Sequence, residues 1–181
     1  MNLVDWTEHE LGVVGLARPV VRAPRPVLGA AAEQVDPTDP RVVQLAADLV
    51  ATMRASPGCV GLAAPQVDVG QHVFCVDVST HARTRTSHGT FVLCNAEVVR
   101  ATRREVGREG CMSVPDLTGD VRRAGRLTVT GALPGSGQWI TIETDAFEAR
   151  AVQHEIDHCA GLLFLDRVAG AHAVYPRRRY L

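Results

Sequence analysis

The segment QHEIDH, residues 153–158, determines both the main helix of the predicted fold and its chemistry. It lies in a stretch from about 145 to 160 whose apolar residues recur at helical spacing, which is typical of a helix with one buried face. That apolar stripe consists of Ala149, Val152, Ile156 and Cys159. Asp145 and Glu148 have the spacing of a capping box, and Gly161 stands where a helix stop belongs. We therefore predict a helix here, packed in a core.

Two histidines within this segment are placed to share a metal ion. His154 and His158 are four residues apart, so on a helix they lie one above the other and both imidazoles can reach one ion. Glu155 can address a water molecule at that ion without being a ligand itself. The same residues could instead form a solvated polar face, because the HExxH pattern also occurs by chance. The adjacent apolar stripe favours the metal site.

A catalytic site needs a third protein ligand, and the sequence places it upstream of this helix. A metzincin is excluded because Phe164 stands where its third histidine belongs, and no glutamate follows the HExxH segment to complete a thermolysin-like site. Asp166 and His172 are weaker downstream candidates. The best candidate is Cys111, in the segment EGCMS at residues 109–113, because a thiolate and two imidazoles leave one coordination position open. Taken alone, a buried cysteine in a turn explains Cys111 more simply.

The rest of the chain predicts an α+β fold in a single domain of residues 1–181. Asp39 and Pro40 begin a further helix that ends near Ser56. Segments rich in β-branched and aromatic residues predict strands at 72–78, 91–100, 121–130 and 139–144. We expect mixed or antiparallel sheets packed around the HExxH-bearing helix. Residues 1–23 are predicted to form an N-terminal arm and residues 169–181 a C-terminal tail.

Composition excludes several classes of function. The chain has 19 basic and 20 acidic side chains, and a formal net charge of −1 gives no general attraction to nucleic acid or to an anionic membrane. The N-terminus lacks the pattern of a signal peptide, and no apolar run is long enough to span a bilayer. These features predict a cytoplasmic protein. The arginines at 177–179 are interpreted as part of a solvated tail, in preference to a docking element for the ribosome.

The cysteine pattern agrees with a reducing compartment. Five cysteines at scattered positions do not form a disulfide framework. Cys75 and Cys94 lie inside apolar, strand-like runs and are predicted to be small core residues. A cysteine close to histidines in such a compartment is more often a ligand or nucleophile than half of a disulfide.

Three segments resemble the signature motifs of peptide deformylases, and they occur in that family's order. Residues 60–66, VGLAAPQ, are similar to the GxGxAAxQ loop, residues 109–113 to EGCLS, and residues 153–158 to QHExDH. The following run GLLFLD, residues 161–166, also resembles the family's continuation. With a weaker likeness at 24–35, the resemblance covers residues 24 to 168. One motif alone would be a weak signal, but three in order are specific.

The resemblance implies a metal site. Cys111, His154 and His158 would bind one divalent metal ion, and Glu155 would be the general acid and base. The family's usual metal is ferrous iron (Fe²⁺), with zinc (Zn²⁺) and nickel (Ni²⁺) as replacements. Soft sulfur and borderline nitrogen ligands suit all three ions, so the residues do not choose between them.

The resemblance also implies donors for the oxyanion that forms when water attacks the formyl carbon. These are the side-chain amide of Gln66 and the backbone N–H of Met112, with the backbone of Gly61 contributing to the same pocket. An alternative interpretation of Gln66 is a loop residue that caps a turn. The resemblance also implies an apolar pocket for the substrate's methionine side chain, which hydrophobic residues of the central helix and the loop around Val60 and Leu62 could line. The sequence does not identify the individual residues of that pocket.

The activity implied by the resemblance is removal of the formyl group from the N-terminal formylmethionine of new polypeptides, with release of formate. The partners would be N-formylmethionyl peptides and, transiently, the ribosome, with no sequence-specific nucleic-acid binding. One alternative is a paralogue that deformylates an N-formylated small molecule. Another is a metal-binding homologue without turnover. A general endopeptidase is disfavoured because the downstream third ligand is missing.

Four residues depart from the family pattern. Cys59 stands at the first glycine of the loop motif, where it would be strained if the backbone needed a positive φ. Gly58 could absorb the bend instead, or Cys59 could face the site. Met112 and Ala96 replace a usual leucine and proline, and Cys159, which replaces a leucine, is predicted to face the core.

Overall fold

A six-stranded sheet and two α-helices form the fold of residues 12–178, the part of the chain that the computed structural model describes. The helices are α1 (Pro40–Ala55) and α2 (Ala146–Cys159). The strands are β1 (Gly61–Ala63), β2 (Val73–Val76), β3 (Phe91–Cys111), β4 (Val114–Ala132), β5 (Trp139–Asp145) and β6 (Val174–Pro176). Short 3-10 turns occupy Pro26–Gly29, Ala64–Val67, Phe164–Arg167 and Ala171–Ala173.

The strands pair in the order β1-β2-β3-β4-β5. Strand β6 pairs with residues 117–119 of β4, on the side of β4 opposite β3. Every strand pair is antiparallel, which confirms the predicted α+β class. The apolar stripe of α2 packs against the sheet in a cluster with side chains of β2, β3, β4 and β5. Within residues 12–178, no helix is both long enough and apolar enough to cross a bilayer.

The long hairpin of β3 and β4 extends much further than the sequence predicted. The predicted strands 91–100 and 121–130 include most of the buried apolar residues of β3 and β4. Side chains 97–106 of β3 are all exposed, so no apolar alternation marks this part of the strand. The hairpin ends at a tight turn in which Cys111 pairs with Val114, and this turn places the cysteine at the end of the sheet.

Helix α1 confirms its prediction at both ends. The side chain of Asp39 accepts a hydrogen bond from the backbone N–H of Arg41 at 2.8 Å, and the helix ends before Ser56. Its buried face packs in one apolar cluster with Cys75 and Cys94, which are fully buried as predicted. Burial of this face against the sheet, more than helix propensity, stabilises a helix of this length.

The C-terminal end of α2 is also as predicted, because Gly161 has φ +74° and its N–H donates to the carbonyl of His158. The predicted capping box at the other end is wrong. The carboxylate of Asp145 accepts from the hydroxyl of Thr86 at 2.9 Å, and Glu148 is fully buried with long-range partners.

Glu148 connects α2 to the loop between β2 and β3. Its carboxylate accepts a hydrogen bond from the backbone N–H of His88 at 2.8 Å and from the hydroxyl of Thr144 at 2.6 Å. The ring Nδ1 of His88 lies 2.6 Å from the same carboxylate. Because a buried carboxylate needs such partners, the contact fixes the loop against the helix.

The predicted N-terminal arm and C-terminal tail both pack on the domain where the structure describes them. In residues 12–23, the N–H of Val21 donates to the carbonyl of Gln66 at 2.8 Å. Beyond residue 169, β6 pairs with β4 and Arg177 donates to the carbonyl of Cys111 at 3.3 Å. The prediction of a solvated tail is therefore wrong for Arg177, whereas Arg178 is exposed. The predictions for residues 1–11 and 179–181 lie outside the described residues.

We expect Glu148→Ala to lower the free energy of unfolding by about 2–4 kcal/mol, because it leaves buried donors of His88 and Thr144 without an acceptor. Chemical denaturation measures the loss. Glu143→Ala is the matched control, since Glu143 is exposed on the neighbouring strand, and it should change stability by less than about 0.5 kcal/mol. Equal losses in the two variants would contradict the structural role of Glu148.

Candidate metal centre

Three potential metal ligands converge between α2 and the end of β3. Cys111 Sγ and one ring nitrogen each of His154 and His158 all lie within 4.8 Å of one another. The Sγ atom is 3.2 Å from Nε2 of His158, and the two imidazole centroids are 4.9 Å apart. Helix α2 supplies the two histidines from successive turns, and the hairpin turn supplies the cysteine. The structure thus brings together the three ligands that the sequence predicted.

The chemistry of this donor set suits a divalent metal. Burial opposes ionisation of Cys111, but the neighbouring imidazoles hold the pKa of its thiol well below the usual value. The imidazoles therefore favour the thiolate, which is the form that binds metals. One thiolate and two imidazoles fit Fe²⁺, Zn²⁺ or Ni²⁺ and leave a coordination position open.

Glu109 orients the first of these histidines. Its Oε2 lies 2.9 Å from Nδ1 of His154, and Arg123 donates to both carboxylate oxygens at 2.9 and 3.0 Å. Burial opposes the charge of Glu109, but His154 and Arg123 lower its pKa below the usual value. An ionised carboxylate on one ring nitrogen fixes the ring and leaves Nε2 for the metal. From the sequence, Glu109 was predicted only to be part of a motif.

Arg123 extends the network to the second half of α2. It donates to Asp157, which also accepts from Arg167 at 2.8 Å. Arg123 and Asp157 are both buried, so loss of either partner would leave an uncompensated charge in the interior. The network therefore links β4 and the Phe164–Arg167 turn to the helix that carries both histidines. Residue spacing alone contains no signal for it.

Glu155 lies beside the three ligands and faces the same space. Burial raises the pKa of Glu155 to about 7, against the opposing charge of the two imidazoles. Its Oε2 has no hydrogen-bond partner among residues 12–178. A Cβ added to Gly61 would lie 2.6 Å from Oε1, so only glycine allows β1 to approach the carboxylate this closely.

The structure confirms that Gln66 caps a turn, and it also places the side-chain amide beside a candidate metal ligand. Its Oε1 accepts a hydrogen bond from the N–H of Ala63 at 3.0 Å, which caps the turn that follows β1. Its Nε2 lies 3.3 Å from Cys111 Sγ and 3.3 Å from Ser113 Oγ. Because the oxygen is held by a backbone donor, the amide nitrogen must point toward the metal ligands.

A cavity of about 310 Å³ opens over these residues. The predicted donors Gly61 and Met112 both line it, as does Val60. The prediction that Leu62 lines a methionine pocket is wrong, because Leu62 points into the opposite core and is fully buried. Gly61 and Leu62 are adjacent on β1, so they face opposite sides of the strand, and the Gly61 side is the one that meets Glu155. No sequence pattern predicted that four arginines line the cavity: Arg83, Arg108, Arg150 and Arg177.

Cys59 also lines the cavity, and its backbone is not strained. Gly58 takes the positive φ of the turn, at +71°, and Cys59 has a negative φ. The thiol donates to the carbonyl of Gly61 at 3.1 Å. Burial, and then the charge of Glu155, raise the pKa of Cys59 to about 12. The cysteine is therefore protonated near neutral pH, unlike the thiolate of Cys111.

A thiolate and two imidazoles beside a buried glutamate, on an antiparallel α+β fold, are the features of a metal-dependent hydrolase. Comparison with known sequences identifies the type of hydrolase. The family profile of Polypeptide deformylase matches residues 17–173, and the chain belongs to the peptide deformylase family. This result confirms the resemblance drawn from the three motifs.

Individual relatives are similar over most of their length. The peptide deformylase of Desulforudis audaxviator is 41% identical over 160 residues, which cover 88% of this chain and 96% of that protein. The structure of peptide deformylase from Thermotoga maritima superposes with a TM-score of 0.76 at 30% identity, covering 85% and 99% of the two chains. A Met-Ala-Ser-bound class I type b peptide deformylase from Acinetobacter baumannii gives 0.77 at 31% identity, covering 84% and 100%.

We expect Glu109→Gln to weaken metal binding roughly 10- to 100-fold, because the neutral amide no longer holds the ring of His154 as an anion does. Competition with a chromophoric chelator under anaerobic conditions measures the affinity. Asp120→Asn is the control, since Asp120 also pairs with an arginine, Arg108, but does not contact a candidate ligand. Similar affinities in both variants would show that Glu109 does not support the site.

Proposed function

We propose that this enzyme removes the formyl group from the N-terminal formylmethionine of newly made polypeptides. The observation that carries the proposal is the position of Glu155, a carboxylate of near-neutral pKa that faces an open cavity beside a thiolate and two imidazoles. The Acinetobacter baumannii relative, with Met-Ala-Ser bound, supports a peptide as the substrate. We also propose a single domain over residues 1–181 and a cytoplasmic location, where such chains are made.

Cys111, His154 and His158 would hold the metal, with Glu109 orienting His154. We propose Fe²⁺ as the physiological ion and Zn²⁺ or Ni²⁺ as replacements, since the ligand set accepts all three. When bound, such an ion supplies Lewis-acid polarisation of the formyl group and makes water a stronger nucleophile near neutral pH. All other steps depend on side chains and backbone groups of this chain.

Glu155 acts as the general base and then as the general acid. Its carboxylate accepts a proton from the water that attacks the formyl carbon. It then returns the proton to the amide nitrogen as the C–N bond breaks, so that formate and a free amino terminus leave. A pKa of about 7 suits both directions of this transfer near neutral pH. The close approach of Gly61 keeps the carboxylate at the cavity wall.

The Gln66 amide and the Met112 N–H stabilise the oxyanion, with the backbone of Gly61 in the same pocket. The support for Gln66 is its fixed orientation, because Ala63 holds Oε1 and so aims the N–H groups at the reacting centre. A donor fixed before the reaction loses no free energy to reorientation when the charge develops. A homologue without turnover would have no need of this donor or of Glu155. Contact with the ribosome stays a prediction.

We expect formate release from formyl-Met-Ala by protein prepared without oxygen and loaded separately with Fe²⁺, Ni²⁺ or Zn²⁺. Turnover of the peptide should exceed that of a formylated non-peptide amine. The rate of formate release should differ among the three metal-loaded forms, which ranks the metals. Glu155→Ala should bind one equivalent of metal and lose roughly 10²- to 10⁴-fold in kcat, because no other group transfers the proton.

Two results would overturn the proposal. Preferential turnover of the formylated amine would instead favour a small-molecule deformylase. Full activity of Glu155→Ala would exclude this glutamate as the acid and base, and equal metal content in wild type and variant separates that result from a loss of the ion.

A further inference from the structure

The lining of the cavity carries more positive than negative side chains. Four arginines line it, against the carboxylates of Glu109 and Glu155. The arginines come from separate elements: Arg83, Arg108, Arg150 and Arg177. Such a cluster raises the local concentration of anionic groups, because the low-dielectric walls focus its field.

Two of these arginines have carboxylate partners that hold them in the wall. Arg150 donates to Glu109 at 2.7 Å and to the carbonyl of Val121 at 3.0 Å. Arg108 pairs with Asp120 at 2.7 Å. Their charges are therefore largely compensated within the protein, and their main effect is to shape the cavity.

Arg83, by contrast, contacts an aromatic ring and no carboxylate among residues 12–178. Its guanidinium carbon lies 4.9 Å from the centre of the Phe147 ring, whose other contact is a stacked His81 at 3.8 Å. No acidic side chain lies within ion-pair distance of Arg83 among residues 12–178. The side chain is exposed at the cavity mouth, and its loop is tied to α2 through Glu148. A positioned guanidinium without a carboxylate partner is suited to bind one from a ligand.

The distance from the reacting centre indicates which part of a substrate would reach Arg83. Phe147 lies seven residues before His154 on α2, a rise of about 10 Å along the helix. An extended peptide covers about 3.3 Å per residue, so roughly three residues span this distance. A carboxylate on the second or third residue, or the free carboxylate of a short peptide, would therefore lie beside Arg83.

We propose that Arg83 is a specificity residue that selects formyl peptides with a carboxylate two or three residues after the formyl group. This inference rests on the proposed deformylase function and identifies the substrates that the site prefers. The carboxylate can come from an acidic side chain or from a free carboxyl terminus. Only the first source is available in a growing polypeptide.

The test compares kcat/KM for matched formyl tripeptides. Formyl-Met-Ala-Asp amide against formyl-Met-Ala-Asn amide isolates an acidic side chain, and formyl-Met-Ala-Ser against its amide isolates a free carboxyl terminus. We expect at least one charged member to be preferred roughly three- to tenfold at low salt, with the preference shrinking toward one at high ionic strength. The pair that shows the preference identifies the source.

Variants of the loop assign the preference to one residue. Arg83→Gln should bring the ratio between charged and neutral peptides to about one, and Arg83→Glu should invert it. Arg85→Gln is the matched control, because Arg85 is exposed in the same loop but lies outside the cavity lining, and it should keep the wild-type ratio.

Each remaining outcome contradicts a defined part of the proposal. A wild-type ratio near one for both pairs, or an unchanged ratio in Arg83→Gln, would overturn the role of Arg83 while leaving the deformylase function intact. A uniform loss on all four peptides in Arg83→Gln would show a structural role only. No formate from any peptide in any metal form would overturn the deformylase function itself, and the inference with it.

Discussion

The buried carboxylate of Glu109 is the interaction on which the site depends. Glu109 and Cys111 are two residues apart on β3, so both side chains point to the same face of the strand, toward α2. One strand thus provides a candidate ligand and the group that orients another, His154. The charge of Glu109 is stable in the interior because Arg123 and Arg150 surround it. Removing either arginine would leave that charge only partly compensated, whereas the whole network fixes α2 against the hairpin.

The site also depends on two glycines that let charged side chains pack directly against the backbone of a strand. The carboxylate of Glu155 occupies the space that a Cβ of Gly61 would need, and the guanidinium of Arg150 occupies the corresponding space at Gly107. Both glycines allow a charged group to pack directly on backbone, where larger residues would displace it. The positions of Glu155 and Arg150 therefore depend on the absence of side chains at these two glycines.

The sequence predicted those features whose determinants are local or carried by a motif. The caps of α1, the stop at Gly161 and the convergence of Cys111 with the two histidines belong to this group. The predictions failed where a distant partner decides the outcome. Glu148 has the spacing of a capping box, but His88 and Thr144 offer it a buried site. The exposed middle of β3 has no alternation to reveal it, and the position of Leu62 depends on which face of β1 meets α1.

The candidate catalytic groups lie on a helix and a strand, whereas the proposed specificity residue Arg83 lies on a loop. The candidate ligands and Glu155 lie on α2 and at the end of a long hairpin, where packing and ion pairs fix them. Arg83 lies on the loop between β2 and β3, which is held by the contacts of His88 with Glu148 and of Thr86 with Asp145. Loops of this kind commonly carry binding residues. A change of charge in that loop would alter which peptides are preferred without moving any group that transfers a proton. The buried Glu148 is what makes this separation effective, because a loop without an anchor could not hold a guanidinium at one distance from the reacting centre.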